Sequence, residues 1–165
     1  MLASISDDYT LKVWQLDQND PIFSKEFATG SGNWGYSVSF NADGTKLAAA
    51  FENRNIFIFS VHDNFTHILT FSPKPEPELK NLHAPTIARF HPKDPNIIAI
   101  SSGNQAILVY DLQSLTLNSK KPEAKFALRI PQNFSQPKNI HAMTFNNNGS
   151  RLVVQERNGS MYAWN

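Results

Sequence analysis

The residues of this chain that could do chemistry are dispersed. Five histidines, His62, His67, His83, His91 and His141, fall on different segments, and none has an HxxxH or HExxH partner. Cysteine is absent, which removes disulfides and thiolate metal sites. Asp7 and Asp8 are adjacent, so in an extended segment their carboxylates point to opposite faces, unlike a working acid–base pair. Asp43 stands in Asn41-Ala42-Asp43-Gly44, where its side chain is expected to bond local backbone amides. His91, in a Phe-His-Pro turn, reads as structural. No glycine-rich phosphate loop or nucleophile elbow occurs, and a turn accounts for each of the seven glycines. The expectation is a protein that is not an enzyme, with no catalytic residue, metal ligand or cofactor.

One charged stretch stands out. Residues 118–138 (NSKKPEAKFALRIPQNFSQPK) carry Lys120, Lys121, Lys125, Arg129 and Lys138 against Glu123 alone, +4 over the stretch. Phe126 and Phe134 are interleaved with those charges. Basic residues with aromatics can bind RNA through phosphate contacts and base stacking. The same run also reads as a solvated loop whose aromatics pack back on the fold. The five cations are the candidate RNA or partner contacts. A second irregular stretch, residues 72–85 (SPKPEPELKNLHAP), holds four of the ten prolines and reads as an extended surface connection.

Composition sets the frame for these segments. With 165 residues and 41% hydrophobic content the chain can bury a core. A net charge of +1 gives no global field to attract nucleic acid or an anionic membrane. No apolar run approaches the roughly 20 residues that span a bilayer, and MLASISDD lacks the basic flank and apolar region of a secretory signal. These features fit an intracellular protein that acts without a membrane or a small-molecule substrate. N-x-S/T triplets, those at Asn64, Asn133 and Asn158 among them, are expected by chance in a chain rich in Asn and Ser.

The elements that must position these residues are repeated. Apolar strand, turn, apolar strand, turn and a third strand recur at Leu2–Leu16, Ser37–Val61, Thr86–Leu112 and Ile140–Asn165. Aligned, Phe40, Phe90 and Phe145 share one position, and Trp14, Phe59, Tyr110 and Trp164 share another. Asn41-Ala42-Asp43-Gly44 and Asn146-Asn147-Asn148-Gly149 supply tight turns, replaced in the third repeat by His91-Pro92-Lys93-Asp94-Pro95. Glu52-Asn53-Arg54-Asn55 and Asn158-Gly159 make the second turns. Ile22–Ala28, His67–Phe71 and Phe126–Ile130 are candidates for a fourth strand. Four antiparallel strands per unit is the plan of a β-propeller blade.

At this point the chain resembles the WD40 repeat family. SDDYTLKVWQL looks like the end of such a blade, with Asp8 at the tight turn and Trp14 in the third strand, and SMYAWN ends a blade in the same way. The Gly-His pair that often opens WD40 blades is missing. The resemblance implies an all-β, WD40-type propeller of about three and a half blades, near residues 1–29, 35–72, 86–131 and 140–165. An open arc leaves strand edges unpaired. The expectation is therefore a piece of a longer propeller, or a gene model beginning inside one, in which Met1 is not the natural start.

The order of segments narrows the resemblance. NADGTKLAAAFENRNIFIFSV, then PTIARFHPKDPNIIAISSGNQAILVYDLQSL, then ALRIPQNFSQPKNIHAMTF is similar to the second propeller of Cirhin-type proteins of the small-subunit processome. This implies a nuclear, nucleolar scaffold in a multi-subunit complex, supporting pre-rRNA transcription and processing and touching pre-rRNA directly or through its neighbours. FHPKDPNIIAI followed by ILVYDL also resembles a Topless-type corepressor blade, although the long basic stretch does not fit there. A generic protein–protein interaction scaffold is the third reading.

Overall fold

A computed structural model describes residues 1–27, 34–52, 55–73, 87–102, 106–115, 123–130 and 140–165. Every helix or strand among them is a β-strand, as expected where β-branched and aromatic residues dominate the apolar runs. The first sheet contains β1 (Leu2–Ile5), β2 (Thr10–Trp14) and β3 (Pro21–Glu26). The second contains β4 (Gly35–Phe40), β5 (Lys46–Phe51), β6 (Ile56–Ser60) and β7 (Thr66–Phe71). The third contains β8 (Ala88–Phe90), β9 (Ile97–Ser102), β10 (Ala106–Asp111) and β11 (Phe126–Arg129). The last contains β12 (Ile140–Phe145), β13 (Leu152–Glu156) and β14 (Met161–Trp164). All neighbours are antiparallel and follow chain order within each sheet.

The repeat signature becomes a row of side chains across each sheet. Phe40 pairs with Leu47 and Leu47 with Phe59; Phe90 with Ile98 and Ile98 with Tyr110; Phe145 with Leu152 and Leu152 with Trp164. In the first sheet the row is Leu2 with Trp14 alone, so β1 takes the second place in its sheet. Sheets of three, four, four and three strands therefore make the three and a half blades that the sequence implies.

Alternate side chains meet the neighbouring sheet, so three cores lie between the four sheets. Leu11, Val13, Leu47, Ala49 and Phe59 fill the first gap, with Phe23 stacked on Phe65 at 4.8 Å. Ala48, Ile56, Ile58, Ile98, Ile100 and Tyr110 fill the second, and Ala99, Ile107, Val109, Met143 and Val154 the third. β4, β8 and β12 run side by side on the inner edge, and β3, β7 and β11 take the opposite edge of their sheets.

The turns obey the chemistry read from the sequence. Thr10 N donates to Asp8 Oδ1 at 2.9 Å, Thr45 N to Asp43 Oδ1 at 3.0 Å and Ser150 N to Asn148 Oδ1 at 2.9 Å. Gly44 and Gly149 take φ of 71° and 78°, the left-handed conformation that glycine adopts without strain. In the second and third sheets the first residue of the corresponding turn also reaches the next sheet. Asn41 Nδ2 donates to Pro95 O at 3.1 Å. His91 accepts the Asp94 amide on Nδ1 at 2.9 Å, which leaves Nε2 to donate to Gly149 O at 3.2 Å. His91 is thus structural, as expected.

Two sequence readings need correction or bounding. Gly35 lies in β4 and not in a turn: a Cβ there would stand 2.2 Å from Ile5 Cγ1, so the bare backbone permits close approach of β4 to β1. The fourth strands form as β3, β7 and β11, ending at Glu26, Phe71 and Arg129, with Ala28 outside the described residues. Residues 53–54, most of 72–85 and most of 118–138 also lie outside them.

Candidate interaction surface

Of the five cations proposed as contacts, Lys125 and Arg129 are described, whereas Lys120, Lys121 and Lys138 fall outside the described residues. Lys125 enters β11 with its amide donated to Val109 O at 2.7 Å. Its Nζ stands 3.7 Å from Asp111 Oδ2 and 6.0 Å above the Phe126 ring. Arg129 closes the same outer strand opposite Ala106. Phe126 is 51% exposed, so this aromatic stays on the surface and does not pack into the fold. The rim of the third sheet therefore offers a cation and an exposed ring together, with part of the Lys125 charge engaged by Asp111.

The described histidines hold no common site. His67 lies against Phe57 and Phe59 and its Nε2 is 2.7 Å from Thr70 Oγ1, while His141 is exposed on β12. Among the described residues no group of three His, Asp or Glu could hold a metal ion. Arg89, on inner strand β8, donates from Nη1 to Ala88 O at 2.8 Å and to Ser37 Oγ, tying β8 to β4. Burial holds its guanidinium below the ordinary arginine pKa.

A second surface was not visible from the sequence. At the end of the sheets bearing the β1–β2, β5–β6 and β13–β14 turns, Trp34 and Tyr36 remain 45% and 39% exposed. Glu52 N donates to Trp34 O at 3.0 Å, which fixes the entry of β4 beside the β5–β6 turn. The ladder between β4 and β5 skips from Gly35 to Ser37, so Tyr36 occupies a bulge. Burial first, then the charges of Glu52 and Asp7, raise the Tyr36 hydroxyl above its ordinary pKa, and Arg157 opposes them. The sequence signal was the aromatic–glycine–aromatic run Trp34-Gly35-Tyr36 at the start of a strand.

Against known proteins, no family model matches the chain. It is 21% identical over 170 residues to a guanine nucleotide-binding protein subunit beta-like protein of Encephalitozoon cuniculi, covering 98% of this chain and 48% of that protein. It superposes on the WD40 domain of Toxoplasma gondii coronin with a TM-score of 0.70 at 12% identity, over 93% of this chain and 36% of that one. The fold is thus that of a WD40-type β-propeller, and the chain spans about half the length of the curated relative it matches.

Proposed function

We propose that this chain acts as a non-catalytic protein–protein interaction scaffold, and more finely as part of a nucleolar small-subunit processome component serving pre-rRNA transcription and processing. The observation that carries the scaffold reading is the repeated sheet architecture. Its described polar side chains are largely spent on turns and inter-sheet bonds, such as Asp43–Thr45 and Asn41–Pro95, which leaves a rigid frame that displays loops. The finer reading is supported by the order of segments similar to Cirhin-type proteins, with the basic stretch before β12. Lys120, Lys121, Lys125, Arg129 and Lys138 are its RNA or partner contacts. A Topless-type corepressor is the alternative favoured by FHPKDPNIIAI, which runs from the end of β8 through the turn into β9, and ILVYDL, most of which lies in β10.

The test is purification of the endogenous parent protein after RNA crosslinking, with its RNA sequenced and its protein partners identified. Pre-ribosomal leader RNA and nucleolar guide RNA are the expected species. Replacing Lys120, Lys121, Lys125 and Arg129 together by Ala should lower RNA recovery several-fold; Lys125 and Arg129 are exposed, and exposed charges contribute little to folding, so thermal stability should stay unchanged. Recovery without those RNAs overturns the processome reading, and the co-purifying proteins then choose between corepressor and general scaffold.

A further inference from the structure

We propose that Trp34 and Tyr36, flanked by Asp7 and Glu52, form a docking site for a lysine- or arginine-bearing segment of a partner protein. This inference rests on the scaffold reading and adds to it a place and a chemistry. Three elements build the site. The Trp34-Gly35-Tyr36 entry to β4 lies on β1, because Gly35 has no side chain to hold it off Ile5 and Ser6. That approach sets Tyr36 beside the β1–β2 turn that carries Asp7. The Glu52 amide bonded to Trp34 O sets the second carboxyl-bearing residue beside the first ring. The bulge at Tyr36 takes its side chain out of the ladder alternation that sets half-buried Val38 against the first core.

The chemistry of such a place is cation recognition. An exposed aromatic face attracts an ammonium or guanidinium, and carboxylates beside it add charge-assisted hydrogen bonds. Arginine gains most, since its planar fork can stack on a ring and still donate sideways. The same carboxylates disfavour a phosphate backbone, so this surface suits a protein segment and not RNA. The described basic residues of the proposed RNA contact lie elsewhere, on and beside outer strand β11 of the third sheet. The charge of Arg157, in the β13–β14 turn of the last sheet, acts on Tyr36 against those of Glu52 and Asp7, and so opposes a second cation. A segment with one basic residue followed by an acidic or neutral one therefore fits better than a polybasic tail.

The experiment compares partner recovery by the tagged parent protein in three forms: wild type, the double variant Asp7→Asn with Glu52→Gln, and Tyr36→Ala. Carbodiimide, which joins carboxylates to amines in direct contact, maps the partner segment, and thermal unfolding verifies that each variant is folded. The expected result is a loss of at least about fivefold for one partner with both variants, matching the loss when the basic residues of its mapped segment are replaced by Ala; Lys93→Ala, in the exposed β8–β9 turn, leaves that partner in place. Equal recovery by wild type and double variant overturns the site while the scaffold reading stands. A wild-type protein that recovers no partner overturns the scaffold reading itself. Crosslinking of RNA to Trp34 or Tyr36 overturns the choice of a protein segment.

Discussion

Gly149 and Gly44 show how one residue type can carry different loads at equivalent turns. Both hold positive φ, 78° and 71°. A Cβ on Gly44 would meet nothing within 4 Å, whereas one on Gly149 would stand 2.0 Å from His91 Nε2. Gly44→Ala should therefore cost only the left-handed backbone penalty, about 1–2 kcal/mol. Gly149→Ala adds displacement of the His91 ring and loss of its bond, so about 2–4 kcal/mol is expected. Urea unfolding of the two variants checks the order; equal costs would mean that the imidazole moves aside freely. Tyr110 gives a second prediction at this scale. Burial pushes its hydroxyl up to about 12 from an ordinary 10.0, so the folded chain holds that proton more tightly than the unfolded one. The stability tied to it is intact below pH 10 and is lost as pH climbs through 12. Tyr110→Phe should remove that part of the alkaline decline, seen as a shallower fall of the urea midpoint over the same pH range. Acid works in the opposite sense at Asp43, whose carboxylate is held below its ordinary pKa first by the Thr45 hydroxyl and then by the Thr45 amide. Its contribution is present above about pH 4 and fades as pH falls through the lower folded value. Asp43→Asn keeps the acceptor that Asn148 already supplies in the last sheet, so it should retain stability at neutral pH and lose the acid-dependent part.

Between elements, the bonds from Asn41 and His91 to the next sheet tie the second, third and fourth sheets together. His91 is the more demanding of the two, because its ring also accepts the Lys93 and Asp94 amides and lies edge-on to Phe145 at 5.2 Å. His91→Ala should cost about 2–3 kcal/mol, one inter-sheet bond plus amides left to water. Faster hydrogen exchange at Lys93 and Asp94 should accompany it; unchanged exchange there would place the loss in the Phe145 contact alone. This scale also separates what was legible in the sequence from what was not. The aromatic row and the Asx turns were legible because each depends on residue type at a fixed spacing. The bulge at Tyr36 was not, since period-two patterning does not reveal an extra residue in one strand. Gly35 looked like one more turn glycine because its reason, the Ile5 side chain, lies thirty residues away in sequence. For the same reason the basic stretch stood out by local charge, whereas the Trp34–Tyr36 surface exists only where β1, β4 and the β5–β6 turn meet.

At the scale of the whole molecule, the arrangement poses one question about its two end sheets. Phe59 and Trp14 occupy the same place in the repeat, opposite Leu47 and Leu2. Phe59 is 1% exposed inside the first core, while Trp14 is only half-buried, with its indole N–H donated to Ser4 Oγ at 3.2 Å. Leu2 beside it is 55% exposed. The last sheet turns its other face outward, with Met161 66% exposed and Ala142 and Ala163 uncovered beside it. One end thus offers the kind of face that receives a preceding sheet, and the other the kind that receives a following one. In the 165-residue chain, Phe59→Ala should cost about 3–5 kcal/mol, the range for deleting a buried aromatic, and Trp14→Ala less than half of that. A sheet packed on that face, from a longer parent or from another chain, would bring the two costs together and shift Trp14 emission to the blue. Equal costs in the 165-residue chain alone would show that the outer face of the first sheet is already covered, and the open-arc reading of the fold would fall.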